Sequence, residues 1–173
     1  MSPKEYLKDI GCLIEAPAIY EYLSARKNLE IAASYYNDIK ASRIEEILSL
    51  TGLLKYQNKK VREFSLGMKQ KLRLALALIS DPKFVILDEH TNGLDIEGMV
   101  SIREIIIKEN KEKGTTFFIS SYLAHELEVI CNKIAIMKKG HLLKVASIEE
   151  VLKSGGLESY FMKVIGNDEG ELL

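Results

Sequence analysis

The feature that most constrains the fold is a run of apolar residues, Phe84 to Leu87, that is followed at once by two acids, Asp88 and Glu89. Because the run is continuous rather than alternating, it predicts a strand buried on both faces, as in a parallel sheet covered by helices. Ligand sites of such sheets form just beyond the carboxyl ends of the strands. The two acids therefore stand where a ligand site is expected.

Two adjacent carboxylates at one strand end repel each other unless a positive group lies near them. A divalent metal with a bound water is the usual solution, and phosphoryl-transfer enzymes use one acid for Mg²⁺ and another to orient the attacking water. For this segment alone, a polar boundary between a strand and a loop is an equally good interpretation. The rest of the chain has to decide between the two.

The composition is that of one globular domain, with 173 residues of which 47% are hydrophobic and 28% charged. The net charge of −1 offers no general attraction to nucleic acid or to an anionic membrane. Cys12 and Cys131 fit neither a disulfide framework nor a Cys-x-x-Cys metal site, which favours a reducing, cytoplasmic location. No apolar run reaches the roughly 20 residues that span a bilayer, so we expect no direct membrane insertion.

Apolar spacing along the chain alternates between the strand period and the helix period. Strands are predicted over residues 8–15, 84–87, 115–120 and 133–140, with another after residue 140. Helices are predicted over 24–36, around Ile44 to Leu48, from Leu72 to Ile79, around Ile102 to Ile106, and over 123–130. This alternation predicts a mostly parallel sheet. Residues 57–70 are predicted to be a basic loop, and the tail to hold a short helix before a Gly-rich, acidic end.

Three motifs in order resemble the nucleotide-binding domain of an ABC transporter: FSLGMKQKL before an apolar helix, FVILDE on a strand, and TNGLD after it. Their order and spacing are more specific than any single motif. The form of the first motif is similar to ATPases of the bacitracin and lantibiotic-export type. The resemblance covers roughly residues 8–146 and implies an α/β, P-loop NTPase (RecA-like) domain with a mostly parallel sheet and a helical subdomain.

The resemblance implies roles for five residues, and ATP and Mg²⁺ as ligands. Asp88 matches the metal-associated aspartate of the Walker B strand, and Glu89 the catalytic glutamate that polarises the attacking water. Asp95 matches the D-loop aspartate. Ser65 and Gly67 match the signature peptide, which acts on a nucleotide held by a second subunit.

The signature peptide has a second interpretation. In the first, the Ser65 hydroxyl and the Gly67 backbone N–H face a γ-phosphate, and a helix beginning near Met68 points its positive end there. Leu66 replaces the first glycine of the family motif, which restricts the backbone. In the second interpretation, Ser65 is simply the N-cap of the helix, as a serine before an apolar helix often is.

Three further positions depart from the family pattern. Glu15 stands where the family has the Q-loop glutamine, and a glutamate can still coordinate a hard metal such as Mg²⁺. Tyr122 stands at the switch histidine, where a phenol donates a hydrogen bond without a positive charge. His125 lies three residues on, on the same helical face, and could compensate, although a solvated histidine is the expected alternative. His90 replaces a proline and is expected to be an exposed loop residue.

The largest departure is that the sequence contains no GxxxxGK[ST] phosphate loop, since none of its 11 glycines precedes a lysine. The family places that loop upstream of residues 8–15, so we expect an N-terminally truncated chain that does not hydrolyse ATP alone. The expected organisation is a remnant of the core sheet at 1–15, a helical subdomain at 16–70, a RecA-like core at 71–146 and a tail at 147–173.

The leading expectation is a nucleotide-binding subunit of an ABC exporter that couples ATP binding and hydrolysis to export of, or immunity to, an antimicrobial peptide or drug. Its expected partners are a transmembrane permease subunit and a second nucleotide-binding subunit, with no nucleic acid. Its expected place is the inner face of the membrane, held there by the permease. The alternative is a non-catalytic module that docks on a transmembrane partner. A nucleic-acid-associated ABC ATPase is disfavoured by the single cassette and acidic tail.

Overall fold

The computed structural model describes residues 8–14 and 19–170, with side chains up to residue 166. The chain divides into two compact units, one up to Ser120 and one from Ser121. Among the described residues, the parallel strands lie in the first unit and an antiparallel pair lies in the second.

The first unit is built on a three-stranded parallel sheet with β2 at its centre. Its strands are β1 (Ile10–Leu13), β2 (Phe84–Asp88) and β3 (Thr116–Ser120). Its helices are α1 (Ala25–Ala33), α2 (Ala41–Leu50), α3 (Leu66–Leu78) and α4 (Ile96–Lys113). Short 3-10 turns lie at Leu54–Tyr56 and Val61–Glu63. These elements confirm the predicted strands and helices of this region, except that α3 takes in the end of the predicted loop.

Local capping signals place the helix ends. Ser24, Ser65 and Asp95 each precede a helix, and each side chain accepts a hydrogen bond from the backbone N–H three residues later. Gly114 ends α4 with φ 71°, a left-handed conformation that glycine adopts without strain. The two longest helices of this unit, α3 and α4, therefore begin at fixed points close in sequence to the signature and D-loop motifs.

One face of the sheet is covered by helices. On this covered face, Leu13, Val85 and Leu87 are at most 1% exposed. Gly11 lies so close to α3 that a Cβ there would be 2.1 Å from the Ala77 carbonyl oxygen. Helix α3 thus packs directly on the β1 backbone, where only glycine fits.

The opposite face is largely exposed. We call it the open face; it carries Cys12, Ile14, Phe84, Ile86, Asp88, Phe118 and Ser120. Ile14 and Phe118 are each 54% exposed, and Phe84 and Ile86 are half-buried. The prediction that residues 84–87 are buried on both faces is therefore wrong for Phe84 and Ile86, because the described helices of this unit cover the other face.

The second unit is a β-hairpin with helices. Its elements are α5 (Ala124–Ile130), β4 (Lys133–Lys138), β5 (His141–Ser147), α6 (Ile148–Lys153) and α7 (Leu157–Gly170). Its core contains Ile134, Ile136, Ala146, Val151, Leu157 and Tyr160. The strand predicted at 133–140 is confirmed, but it pairs antiparallel, because Lys139 and Gly140, with φ 49° and 82°, form a two-residue hairpin turn. Helix α7 extends into the Gly-rich, acidic end, where the sequence predicts no helix.

Candidate functional site

The first acid is held by the neighbouring strand. Asp88 is the last residue of β2, and it lies in register with Ser120, the last residue of β3. The Ser120 hydroxyl donates a hydrogen bond to Asp88 Oδ1, and both residues are half-buried. This bond fixes the orientation of the carboxylate and places a hydroxyl oxygen beside it.

The second acid stands in a strained turn. Glu89 has φ 51°, a left-handed conformation that costs a residue with a Cβ about 1 kcal/mol or more. Its backbone N–H donates to the Ser120 carbonyl oxygen at 3.1 Å, and its own carbonyl accepts from Asn92 N–H at 3.1 Å. Strain of this kind persists only where surrounding contacts hold it, and it is common at active sites.

The signature peptide lies at the exposed amino end of α3. The Ser65 hydroxyl accepts a hydrogen bond from Met68 N–H at 3.3 Å, so this serine is the N-cap, as in the second interpretation. The same hydroxyl keeps its own proton as a donor, so capping leaves a phosphate contact possible. Space is open around Gly67, and Leu66 is 49% exposed. The helix begins at Leu66, two residues before the predicted start.

The D-loop lies against the signature peptide. A Cβ built at Gly93 would be 3.2 Å from Leu66 Cδ2, so these two motifs are in contact. Asp95 caps α4 by accepting a hydrogen bond from Gly98 N–H at 2.8 Å, and it is exposed. Within the first unit, one turn therefore carries the Asp88, Glu89 and Asp95 positions and touches the helix that begins beside Ser65.

Two residues that hold this site were missed in the sequence, Ser120 and Gln70. Gln70 is 5% exposed, and its Nε2 donates to the His90 carbonyl oxygen at 2.5 Å. His90 itself is 3% exposed, so the expectation of an exposed loop histidine is wrong. The turn that contains His90 packs against α3 through the Gln70 hydrogen bond. Each of the two residues carries a signal in the sequence. Gln70 is a polar side chain within an apolar helix, and Ser120 is a hydroxyl at the end of a strand.

The switch position lies in the second unit. Tyr122 is 65% exposed and precedes α5, so the inference that it shares a helical face with His125 is wrong. The His125 side chain is 83% exposed, with Nδ1 3.9 Å from Glu128 Oε2, as expected of a solvated histidine. Glu15, the predicted Q-loop ligand, lies outside the described residues.

A magnesium site would have to be built from few protein ligands. No group of three or more His, Cys, Asp or Glu side chains that could hold a metal occurs among residues 8–14 and 19–166. The donor set at the end of β2, one carboxylate with an adjacent hydroxyl, nevertheless suits Mg²⁺, which usually takes one or two protein oxygens and completes its shell with water and phosphate oxygens. Within the described part of the chain, no helix is long and apolar enough to cross a membrane.

A parallel sheet whose central strand ends in two acids, beside a capped helix, is the arrangement of α/β proteins that bind nucleoside phosphates. Residues 2–92 match the ABC transporter family. The chain belongs to this family, whose members bind nucleotide through a domain of this kind.

Three curated proteins illustrate the similarity. An uncharacterized ABC transporter ATP-binding protein, YhcH of Bacillus subtilis (strain 168), is 41% identical over 150 residues, which cover 85% of this chain and 49% of that protein. The bacitracin transport ATP-binding protein BcrA of Enterococcus faecalis is 40% identical over 144 residues, or 83% and 47% of the two chains. The lantibiotic transport ATP-binding protein SrtF of Streptococcus pyogenes is 39% identical over 137 residues, or 79% and 59%.

The chain spans about half the length of the first two of these relatives. A solved structure, described as the ATP binding subunit of an ABC transporter, superposes with a TM-score of 0.79 at 23% identity, over 94% of this chain and 71% of that one. The fold class and the resemblance to bacitracin and lantibiotic transport ATPases are thus confirmed. The domain boundaries near 15, 70 and 146 and the roles of single residues stay predictions.

Proposed function

We propose that the chain is part of the nucleotide-binding subunit of an ABC exporter, in which ATP binding and hydrolysis drive export of an antimicrobial peptide or drug. The observation that carries the proposal is the turn after β2, where Asp88 is oriented by Ser120 and Glu89 is held at φ 51°. Membership in the ABC transporter family and the similarity to bacitracin and lantibiotic transport proteins support it.

Each acid has a distinct task in this proposal. The Asp88 carboxylate and Ser120 hydroxyl would hold Mg²⁺, which neutralises charge on the phosphates of ATP when it is bound. Glu89 orients a water for in-line attack on the γ-phosphate and accepts its proton. The strained turn holds the Glu89 backbone in one conformation, so the residue loses little conformational freedom when the water binds.

Three of the remaining site residues act across a dimer. Ser65 donates from its hydroxyl and Gly67 from its backbone N–H to the nucleotide of a second subunit, and Asp95 lies at the same dimer interface. Ser65 and Asp95 are exposed at the starts of α3 and α4, and space is open around Gly67, which supports this role. Tyr122 donates a hydrogen bond at the switch position, and Glu15 adds an oxygen ligand for Mg²⁺. A transmembrane permease subunit holds the protein at the inner face of the membrane.

A second function is a non-catalytic module that docks on the transmembrane partner through residues 16–70. It is favoured by the lack of a GxxxxGK[ST] motif within these 173 residues and by tyrosine at position 122. The two functions differ in whether Glu89 matters for turnover, so one substitution separates them.

The test uses a fused protein, in which a GxxxxGK[ST] strand, loop and helix are joined to the amino end of the chain. We expect ATP hydrolysis by the fused protein, and a fall of about 100-fold or more in Glu89→Gln. Glu104→Gln, an exposed position on α4, is the matched control and keeps full turnover. Equal turnover in Glu89→Gln would refute the role of Glu89, and the absence of turnover in every form would favour the docking module.

A further inference from the structure

Gln70 connects the signature helix to the catalytic turn. We infer that Gln70 is a positioning residue, whose buried amide fixes the turn that carries Glu89 to helix α3. The contact is direct: Gln70 Nε2 lies 2.5 Å from the carbonyl oxygen of His90, the residue that follows Glu89. Gln70 lies within the motif FSLGMKQKL, but the sequence analysis assigns a role only to Ser65 and Gly67 of that motif.

The orientation of the amide is fixed by chemistry. Arg73 Nη1 lies 3.0 Å from Gln70 Oε1. A guanidinium can only donate, so the oxygen of the amide faces Arg73 and the nitrogen faces the His90 carbonyl. A positive donor on the oxygen also polarises the amide and strengthens its N–H as a donor. The amide N–H of Gln70, and not its carbonyl oxygen, therefore faces the His90 carbonyl oxygen.

The turn needs such a contact because Glu89 adopts an unfavourable conformation. Its bond to the Ser120 carbonyl holds the turn to β3, and the bond from Asn92 N–H closes the turn on itself. The Gln70 bond holds the same turn from α3. Removal of the Gln70 donor would leave a buried carbonyl without this bond and let the strained turn open.

The contact also links two positions that act in different places. Ser65 caps the amino end of α3, and Gln70 lies on α3 less than two helical turns further on. If the proposed function holds, the amino end of α3 contacts the nucleotide of the partner, whereas Glu89 acts on the nucleotide of its own subunit. A displacement of α3 at the partner's nucleotide then moves, through Gln70, the turn that holds Glu89 at the nucleotide of its own subunit.

The sharpest test is Gln70→Glu in the 173-residue chain. This substitution keeps the size of the side chain and the oxygen facing Arg73, but it sets a second oxygen against the His90 carbonyl. An ionised carboxylate then repels that carbonyl, whereas a protonated one donates to it. The amides to follow are those of Glu89, Asn92 and Leu94, whose N–H groups donate to the Ser120, Glu89 and Thr91 carbonyl oxygens, each at 3.1 Å. We expect their exchange to speed up by about tenfold or more at neutral pH, corrected for intrinsic exchange, and to slow again as the carboxyl is protonated.

Gln57→Glu is the matched control. Gln57 Oε1 accepts a hydrogen bond from Arg26 Nε at 2.7 Å, so it is another arginine-held glutamine of the same unit. We expect no change at the turn in this variant. Equal protection of Glu89, Asn92 and Leu94 in Gln70→Glu and the unsubstituted chain would overturn the inference, and so would an equal loss in Gln57→Glu.

A second variant covers the case in which Gln70→Glu does not fold. Gln70→Met removes the donor without adding charge. We expect faster exchange at the turn at every pH, while the amides of β2, the central strand, keep their protection. Unchanged exchange at the turn would overturn the inference. Because exchange is measured without nucleotide, this failure is distinct from a failure of the proposed ATPase function, which Glu89→Gln tests.

Discussion

The two faces of the three-stranded sheet are made from the same strands, yet they differ in what lies on them. On the covered face, Leu13, Val85 and Leu87 are at most 1% exposed, and α3 lies against Gly11. On the open face, Ile14 and Phe118 are each 54% exposed. Both faces carry large apolar side chains, so the difference in their exposure comes from which face the helices cover.

The carboxylate of the site belongs to the open face. Asp88 and Ser120 follow Ile86 and Phe118 along their strands and point to the same side of the sheet. The covered face therefore carries fully buried core residues, whereas the Asp88 carboxylate and the Ser120 hydroxyl, the proposed metal ligands, lie at the end of the open face. Substitutions on the two faces should therefore differ sharply in their cost.

The largest difference is expected between neighbours on β1. A Cβ at Gly11 would lie 2.1 Å from the Ala77 carbonyl oxygen, so Gly11→Ala must displace α3 from the sheet. We expect a loss of about 3 kcal/mol or more in the free energy of unfolding, measured by urea denaturation. Cys12→Ala on the open face should stay within about 0.5 kcal/mol of the unsubstituted chain. Equal costs at the two positions would remove the distinction between the faces.

The next difference concerns side-chain truncation. Leu87→Ala empties a fully buried position and should cost about 2–5 kcal/mol. Phe118→Ala removes a ring that is 54% exposed and should cost less than about 1 kcal/mol. Thermal and urea unfolding monitored at two protein concentrations measure both. A large, concentration-dependent cost for Phe118→Ala would show instead that the open face is covered by a second copy.

Thiol reactivity reports the exposure of the open face directly. Cys12 is exposed, whereas Cys131 of the second unit is half-buried, and burial raises the pKa of the Cys131 thiol to about 11. At pH 8 only about 0.1% of Cys131 is then thiolate, the reactive form. We expect Cys12 in Cys131→Ser to react with a disulfide reagent at least about tenfold faster than Cys131 in Cys12→Ser. Similar rates would mean that Cys12 is protected.

A charge cluster lies on the helices of the first unit. Lys113 Nζ lies 2.7 Å from Glu46 Oε1 and 2.9 Å from Asp81 Oδ1, and Arg43 also donates to Glu46. Burial alone would raise the pKa of Glu46, but hydrogen bonds from Lys113 and Arg43 lower it overall. Burial raises the pKa of Glu109, against an opposing effect of Lys113.

The smallest expected effects are those of pH on this cluster, and they have opposite signs. Because the pKa of Glu46 is lower in the folded chain, the ionised Glu46 stabilises the fold at pH values above its pKa in the unfolded chain. This stabilisation is lost as the pH falls through the pKa of Glu46 in the folded chain. The raised pKa of Glu109 means that its ionisation costs stability as pH rises. At pH 7 we expect Glu46→Gln to destabilise by less than about 1 kcal/mol, and Glu109→Gln to be neutral or stabilising. Urea midpoints across pH 3–8 measure this, and the same sign for both variants would contradict it.

The sequence predicts the elements of the first unit because their signals are local. Capping residues such as Ser65 and Asp95, and the apolar run before Asp88, mark where helices and the central strand lie. The turn Lys139-Gly140 is also a local signal, because a glycine that readily adopts positive φ suits the two-residue turn of an antiparallel hairpin.

What the sequence does not predict depends on contacts between distant residues. The sequence predicts that His90 is a loop residue. The hydrogen bond from Gln70, 20 positions away, is what fixes the His90 backbone to α3. The exposure of Phe118 depends on whether helices cover one face of the sheet or both. The apolar sequence of the strand does not distinguish these two arrangements. Ser120 reaches Asp88 through strand register, which spacing alone does not give.

The central claim is that Asp88, oriented by Ser120, holds the divalent metal of a bound nucleotide beside Glu89. The most direct measurement is paramagnetic broadening of amide signals by Mn²⁺ with ATP in the fused protein. We expect broadening at Asp88, Glu89 and Ser120, and its loss in Asp88→Asn but not in Asp81→Asn, an exposed aspartate in the charge cluster. Broadening at this turn that is unchanged in Asp88→Asn would contradict the claim.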